Sequence, residues 1–337
     1  MSARLTNSPG RGTHERRATA LVHVPTRAGA LALPAGEIEA AVTYAKAEKA
    51  AATRRAYRTD FEIFRAWCAQ RDASPLPAAP ETVAAFLASE ASRRTKPSTI
   101  GRRAAAIRYA HKLAGLALPT DDERVRATMR GIRRSMGVAP HKKSPATADK
   151  IMAMAPVAGE RLSTIRDRAL LLLGFAGAFR RSELVALNVE DIEETKDGLK
   201  VTIRRGKTDQ EGQGATIAIP RGAVACPAAA FKAWICIAGI TNGPVFRPIA
   251  KGERLKHGRL TDRSVAKIVK AHAARVGLDP VNFSGHSLRS GFLTSAAARG
   301  ASIFKMADQS RHKSMDTLRG YIRDAEIFKD HAGMGLL

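Results

Sequence analysis

The stretch GFAGAFRRSELVAL, residues 174–187, passes from apolar residues directly into two arginines, a serine and a glutamate. An arginine at the edge of a buried segment is costly unless an anion pairs with it. Glu183 follows Arg180 by three residues, so on a helix the carboxylate would lie on the same face and orient the guanidinium. Taken alone, the stretch fits either an anion-binding arginine held by a glutamate or a plain surface ion pair.

The sequence around this stretch predicts a mainly helical domain, residues 147–337, with one small antiparallel sheet. A hairpin is expected from strands near 199–205 and 214–219, because residues 206–213 between them are rich in turn formers. Apolar periodicity and end signals predict helices at about residues 146–156, 163–177, 181–187, 223–238, 262–276, 286–299, 301–309 and 314–321.

The preceding residues, 36–136, predict a separate all-helical domain. Helices are expected at about 52–71, 80–92, 97–115 and 120–135. Residues 1–35 have little to bury and predict a basic, disordered tail, and residues 137–146 have the composition of a linker. Two apolar stripes are expected in the core, one made of Tyr57, Phe61, Phe64, Trp67 and Cys68, the other of Ile100, Ala104, Ile107, Ala110 and Leu113.

The charge balance indicates a polyanionic partner. The chain has 337 residues, with 56 Lys+Arg against 31 Asp+Glu, a formal net charge of +25 and a pI near 10.8. Such an excess favours nucleic acid binding, although a basic proteome would give the same composition. Basic side chains on the helices and linker are the expected DNA contacts: Arg54, Arg55, Arg58, Lys96, Arg102, Arg103, Arg108, Lys142 and Lys143.

Cysteine usage and hydropathy argue against a metal centre or a membrane anchor. The three cysteines lack paired C-x-x-C spacing, so we expect reduced thiols and no zinc site. The longest apolar run, residues 169–179, is far shorter than a membrane span of roughly 20 residues. Residues 18–35 resemble a signal peptide only faintly, since polar residues and a proline interrupt them. We therefore expect a cytoplasmic protein without a cofactor.

Three further signals follow in the second domain. Lys207 lies in the hairpin turn, where a long amine could reach a ligand or simply remain hydrated. GHSLRSGF, residues 285–292, places His286 and Arg289 three residues apart at a predicted helix start, where anions are favoured. In QSRHKSMDTLRGYIR, residues 309–323, His312 precedes Tyr321 by nine positions. A tyrosine packed with its hydroxyl bonded is the plain alternative for Tyr321.

Taken in order, Arg, Lys, His-x-x-Arg, His and Tyr resemble the pattern of the tyrosine recombinases, the phage-integrase family. The R-x-S-E-L, H-x-L-R and H-(x)8-Y segments carry the resemblance, which covers the second domain and more weakly the first. It implies a helical core-binding (SAM-like) domain followed by a mostly helical catalytic domain. The family usually shows Leu-Gly-His where this chain has Ser310, Arg311 and His312, and the missing glycine is expected to alter the local turn.

The resemblance implies a covalent mechanism that needs neither ATP nor a metal. Tyr321 would attack a DNA phosphodiester and form a 3′-phosphotyrosyl link. His286 would accept the phenolic proton, and Lys207 would protonate the departing 5′-oxygen.

The remaining members of the pattern would stabilise charge. Arg180 and Arg289 would face the nonbridging oxygens of the transition state, and His312 would add a hydrogen bond. Glu183 would orient Arg180.

The resemblance also implies an assembly on double-stranded DNA with a specific recombination site. Four identical protomers would join two sites, each passing its C-terminal segment to a neighbour. Ile322, Ile327 and Phe328 in that segment would dock on the neighbour or pack in cis against their own protomer. Two alternatives remain: a type IB topoisomerase acting alone, and a catalytically silent DNA-binding protein.

Overall fold

The computed structural model describes residues 34–139, 142–156, 159, 161–204, 206, 213–312, 314–325 and 332–334. The chain divides into two compact units, with the boundary between residues 140 and 141. Each unit has its own apolar core.

The first unit is built from helices whose starts follow from the sequence. Pro80 and Pro97 occupy first helical positions, where a missing N–H costs nothing, and the side chain of Asp122 caps the last helix. The helices are α1 (Ala35–Ala47), α2 (Ala51–Ala69), α3 (Pro80–Ser92), α4 (Pro97–Leu113) and α5 (Glu123–Met136).

Aromatic side chains from α2 and α3 fill the core of the first unit. The rings of Phe64 and Trp67 lie 5.0 and 5.6 Å from that of Phe86, in tilted and edge-on arrangements that such pairs prefer. Most members of the two predicted stripes are buried, but Tyr57 and Ala104 are only half-buried. Leu113 is 39% exposed, so its predicted burial is wrong; it is the last residue of α4, beyond the helices that cover the rest of the stripe.

The second unit wraps helices around a three-stranded antiparallel sheet. Its order is β1-β2-β3, and β2 pairs with β3 over six residues as the predicted hairpin. The strands are β1 (Ile192–Glu194), β2 (Gly198–Ile203), β3 (Ala215–Pro220), β4 (Ile249–Ala250) and β5 (Arg254–Leu255). The helices are α6 (Ala148–Met154), α7 (Leu162–Ala176), α8 (Arg181–Ala186), α9 (Pro227–Ile237), α10 (Asp262–Arg275), α11 (Ser287–Ala298), α12 (Ile303–Ser310) and α13 (Met315–Ala325).

The main core of this unit lies between α7, α9 and the inner face of the sheet. Trp234 on α9 is fully buried, and its indole N–H donates to the carbonyl of Val245 at 2.8 Å. A smaller cluster of Leu293, Ala297, Met306 and Leu318 joins α11, α12 and α13.

The end of the predicted linker packs onto the second unit. The N–H of Ser144 donates to Asn282 O at 2.7 Å, and that of Ala146 donates to Ser287 O at 2.9 Å. Ala146 is completely buried, in contact range of Gly291 on α11. Residues 144–146, predicted as linker, are therefore part of the second unit, which begins at residue 141.

The predicted fold class, mainly helical with a small antiparallel sheet, is confirmed. Strand β1 was not predicted, because IEE is short, polar and without alternation. The two-residue strands β4 and β5 are also too short to leave a sequence pattern.

Candidate active site

The turn between α7 and α8 presents Arg180. Helix α7 ends at Ala176, Ala178 takes a positive φ of 45°, and Phe179 is buried, so the chain turns sharply before the arginine. Arg180 is the N-cap of α8, with φ −70° and ψ 148°. The sequence had suggested that Arg180 and Glu183 share a helical face. Arg180 instead precedes the helix, so this prediction is wrong.

Glu183 nevertheless holds Arg180, through capping geometry. Its Oε2 accepts the backbone N–H of Arg180 at 2.9 Å, and its Oε1 accepts Nη1 of Arg180 at 2.6 Å. The carboxylate is 1% exposed. Burial raises the pKa of Glu183, but Arg311 and Arg180 outweigh it, and the net pKa is lowered. Glu183 is thus an anion shared between two guanidinium groups.

Helix α11 contributes Arg289 and His286. Arg289 is 1% exposed, and its Nη1 donates to the carbonyl of Ala178 at 2.7 Å. Burial, together with the charges of Arg180 and Arg311, lowers the pKa of Arg289 to about 9. A buried guanidinium that has no carboxylate among its hydrogen-bond partners in the described part of the chain is suited to bind an anion.

His286 is the N-cap residue of α11. The side chain is exposed, yet its pKa is lowered, because protein atoms keep water from part of the ring and because Arg289, Arg180 and Arg181 are positively charged. The imidazole is therefore neutral at pH 7 and able to accept a proton.

The turn after α12 places His312 beside Arg289. Nη2 of Arg289 lies 3.2 Å from Nδ1 and 3.3 Å from Nε2 of His312. The hydroxyl of Ser310, fully buried, lies 2.7 Å from the same Nδ1. Burial and the charges of Arg289 and Arg180 lower the pKa of His312 to about 4.

Tyr321 lies on α13, half-buried against the cluster that joins α11, α12 and α13. It interacts electrostatically with Arg289, whose pKa it raises. Ile322, an expected docking group, packs against this same cluster of its own chain. Ile327 and Phe328 lie outside the described residues, as does Lys207.

Arg311 is the main residue that the sequence patterns did not single out as functional. Its guanidinium donates to Oε2 of Glu183 at 2.8 Å and lies 5.3 Å from the centre of the Phe179 ring. Arg311 also takes φ 56° and ψ 44°, the left-handed conformation that glycine adopts without strain. One sequence signal did point to Arg311: it stands where the family pattern Leu-Gly-His has glycine.

Arg180, Glu183, Arg311 and His312 line a cavity of about 330 Å³. Gly206 and Gln213, the described residues on either side of positions 207–212, also line it. Its lining carries two arginines, Arg180 and Arg311, and two carboxylates, Glu183 and Asp308. Arg289, beside His312, adds a third guanidinium close to this lining, where it would favour a negatively charged phosphate group.

The expected DNA contacts fall into two groups. Arg102 and Arg103 bind the buried carboxylates of Asp60 and Glu90, and Arg108 binds Asp121, so these three have protein partners. The side chains of Arg55, Arg58, Lys96, Lys142 and Lys143 are exposed, and Arg54 is half-exposed; Lys143 also donates to the carbonyl of Val281 at 2.8 Å.

Two further findings concern the described residues only. Within them, no group of three or more His, Cys, Asp or Glu side chains is arranged to hold a metal ion. No helix in this part of the chain combines the length and hydropathy needed to cross a bilayer.

Known proteins that resemble this chain identify its family. The sequence profile of the phage integrase family matches residues 145–326. The integrase/recombinase xerD homolog of Selenomonas ruminantium is 41% identical over 290 residues, covering 84% of this chain and 85% of that protein. Recombinase cre of Escherichia phage P1 is 25% identical over 281 residues, covering 77% and 80%.

Solved structures share the fold at low identity. A lambda integrase dimer bound to a COC′ core site aligns with a TM-score of 0.57 and 16% identity, over 86% of this chain and 94% of that one. The Tn1549 transposon integrase in complex with transposon right end DNA aligns with a TM-score of 0.56 and 14% identity, over 89% and 98%. The chain belongs to the phage integrase family, the tyrosine recombinases.

Proposed function

We propose that this site-specific recombinase cuts and rejoins DNA strands with Tyr321 as the nucleophile. The assignment rests on one observation: Arg180, Arg289 and His312 lie at one site, where Glu183 binds Arg180 and Arg289 contacts His312. Tyr321 lies within electrostatic reach of Arg289.

The reaction is a pair of transesterifications. The phenolic oxygen of Tyr321 attacks the phosphorus of a DNA phosphodiester, the bond from phosphorus to the 5′-oxygen breaks, and a 3′-phosphotyrosyl ester remains. Attack by the 5′-hydroxyl of a second strand reverses these steps and releases the tyrosine. One ester is exchanged for another at each step, so no external energy source is required.

Proton transfers accompany both bond changes. The proton of Tyr321 goes to His286, which is neutral at pH 7 because its pKa is lowered. An unassisted phenol, with a pKa of about 10, would be a poor nucleophile at that pH. Lys207 is assigned the protonation of the leaving 5′-oxygen, because it follows Gly206, which lines the cavity.

The guanidinium groups stabilise the transition state. Negative charge grows on the nonbridging oxygens as the phosphorus becomes five-coordinate, and Arg180 and Arg289 are fixed by protein hydrogen bonds before the substrate arrives. Pre-orientation avoids reorganisation during the reaction. His312, neutral at pH 7, supplies a hydrogen bond to the same oxygens.

Both units are proposed to contact duplex DNA. The support is the net charge of +25 and the exposed side chains of Arg55, Arg58 and Lys96. Binding then weakens steeply as salt rises, since bound Lys and Arg release counterions from DNA. The site of action would be the nucleoid in the cytoplasm.

A tetramer that pairs two DNA sites is the proposed active assembly. The lambda integrase and XerH structures that share the fold are described as bound to DNA sites. The C-terminal segment is the proposed link between protomers, with residues beyond Ile322 as the docking groups.

Recombination separates this proposal from a topoisomerase. The target site would first be recovered by covalent capture from a pool of nicked duplexes with a randomised core. Plasmids carrying two, one or no copies of that site would then be incubated with the protein. The proposal predicts recombinant products from the two-site plasmid only. Relaxation of all three plasmids without recombinants would identify a topoisomerase, and binding without any strand cleavage a silent protein.

A further inference from the structure

We propose that Arg311 is a positioning residue for strand cleavage, which locks Glu183 and Arg180 in place from the left-handed turn before His312. The inference rests on the proposed function, because it assigns Arg180 to the reacting phosphate. It adds to the site a third arginine from a position at which the family pattern has glycine.

Three residues form a closed ring of contacts. Arg180 donates to Oε1 of Glu183 at 2.6 Å, and Arg311 donates to Oε2 of the same carboxylate at 2.8 Å. Nη2 of Arg180 donates in turn to the backbone carbonyl of Arg311 at 3.2 Å. Each residue of the ring therefore restrains the other two.

The ring joins segments that are distant in sequence. Arg180 and Glu183 belong to the start of α8, whereas Arg311 follows α12 and precedes His312 directly. The backbone conformation of Arg311 aims its carbonyl at Arg180. The ring thus sets the spacing between Arg180 and His312, which must act on one phosphate.

The guanidinium of Arg311 forms hydrogen bonds to several protein oxygens. Besides Glu183, it donates to the carbonyl oxygens of Gly177 at 3.2 Å, Gln309 at 2.6 Å and Ala178 at 3.2 Å. Its two terminal nitrogens are occupied, and the side chain is 12% exposed. Arg311 therefore acts through Glu183 and the turn after α7, while Arg180 and Arg289 face the substrate.

The left-handed conformation is evidence that the side chain matters. A residue with a Cβ is strained at φ 56°, and such strain persists only where the surroundings enforce it. Here the contacts to Glu183 and to three carbonyl oxygens hold it. Glycine would relieve the strain but would leave Glu183 with one cation fewer.

The test compares substitutions that separate the backbone from the guanidinium. Arg311→Gly removes the side chain and the strain, Arg311→Ala removes the side chain and keeps the strain, and Arg311→Lys keeps a charge near Glu183. Arg161→Ala is the matched control, because Arg161 also pairs with a glutamate, Glu253, but at an exposed position of the same unit. Each protein is assayed for single-turnover formation of the covalent complex on a nicked duplex, for DNA affinity and for thermal unfolding.

We expect Arg311→Gly to slow cleavage between about tenfold and a hundredfold, with DNA affinity within about threefold of wild type. Arg311→Lys should regain part of the rate, and Arg161→Ala should match wild type. Arg311→Ala should unfold at a lower temperature than Arg311→Gly.

The pH dependence of the rate distinguishes positioning from mere folding. Burial raises the pKa of Glu183 and Arg311 lowers it, so in Arg311→Gly the fall in rate on the acid side moves to higher pH. If Arg311→Gly does not fold, Arg311→Lys must show a reduced rate with the same direction of shift.

Cleavage by Arg311→Gly at the wild-type rate with an unchanged pH profile would overturn the inference. So would a folded Arg311→Lys that is identical to wild type when Arg311→Gly does not fold. Failure of wild-type protein itself to form a covalent complex would instead refute the proposed function.

Discussion

Nη2 of Arg289 lies 3.2 Å from Nδ1 of His312, so a buried guanidinium faces an imidazole with no carboxylate between them. Burial is the main cause of a lowered pKa in both groups; the charges of Arg180 and Arg311 add to it for Arg289, and those of Arg289 and Arg180 add to it for His312. The pKa of Arg289 falls to about 9 and that of His312 to about 4. The neutral imidazole can accept a hydrogen bond from the guanidinium, and a bound phosphodiester anion would offset the buried positive charge of Arg289.

His312 should therefore remain neutral in the free protein until the pH approaches about 4, and His286 should titrate below its usual value. Because the folded state lowers both pKa values, it binds fewer protons than the unfolded state, and stability from these groups is lost as pH falls from about 6.5 toward the folded values. Histidine NMR signals, assigned with His312→Asn and His286→Asn, would give the midpoints. Adding duplex DNA should raise both. A midpoint for His312 above 6.5 in the free protein would contradict the geometry.

Glu183→Gln should destabilise the second unit by about 3 kcal/mol at neutral pH, because two guanidinium groups lose a buried anion. The folded pKa of Glu183 is lowered, so its contribution is complete above the unfolded value of about 4.3 and disappears as pH falls through the folded value. Urea unfolding of the Trp67→Phe background, followed by Trp234 fluorescence, isolates this unit. Glu193→Gln, which removes an exposed partner of Lys200, is the control. Equal losses at pH 7 and pH 3 would show that the charge of Glu183 does not matter.

Arg103 and Arg58 should behave differently although both are basic helix residues. Arg103→Met leaves Glu90, 2% exposed, without its nearest cation and should cost the first unit about 3 kcal/mol. Arg58→Met should leave stability unchanged and reduce the slope of log affinity against log salt by about 0.9. Trp67 fluorescence in the Trp234→Phe background and DNA titrations at several salt concentrations provide both measurements. A lower salt slope with full stability in Arg103→Met would mean that Arg103 contacts DNA.

Gly291→Ala should destabilise the second unit by about 1–3 kcal/mol, because a Cβ there would lie 1.8 Å from the backbone oxygen of Ala146. The segment that ends at Ala146 would have to leave α11. Gly320→Ala is the matched control, since among the described residues no atom outside its chain neighbours and its own helix backbone lies within 4 Å of the added Cβ, and alanine favours a helix. Unfolding of the two variants in parallel tests this. Equal stability of both would show that the contact at Gly291 is not required.

Local sequence signals explain why so much of the fold could be predicted. The starts of α3 and α4 follow from Pro80 and Pro97, and the β2–β3 hairpin follows from apolar strands around a turn-rich segment. Such signals involve neighbours along the chain, so they need no knowledge of tertiary contacts.

Contacts between distant segments could not be predicted in this way. Arg311 and Glu183 are 128 residues apart and meet only because the turn after α12 is left-handed. The carboxylates of Asp60 and Glu90 look like solvated helix residues in sequence, yet both are buried under arginines. Partner identity at these positions depends on how the helices pack.

Covalent capture is the most direct test of whether Tyr321 is the nucleophile. Wild-type protein is incubated with nicked duplexes containing the recovered site, and denatured adducts are digested and mapped. We expect an adduct on the peptide that contains Tyr321, its retention in Tyr109→Phe, and its loss in Tyr321→Phe with DNA affinity unchanged. An equal yield of adduct from Tyr321→Phe, or its mapping to any other residue, would show that Tyr321 is not the nucleophile.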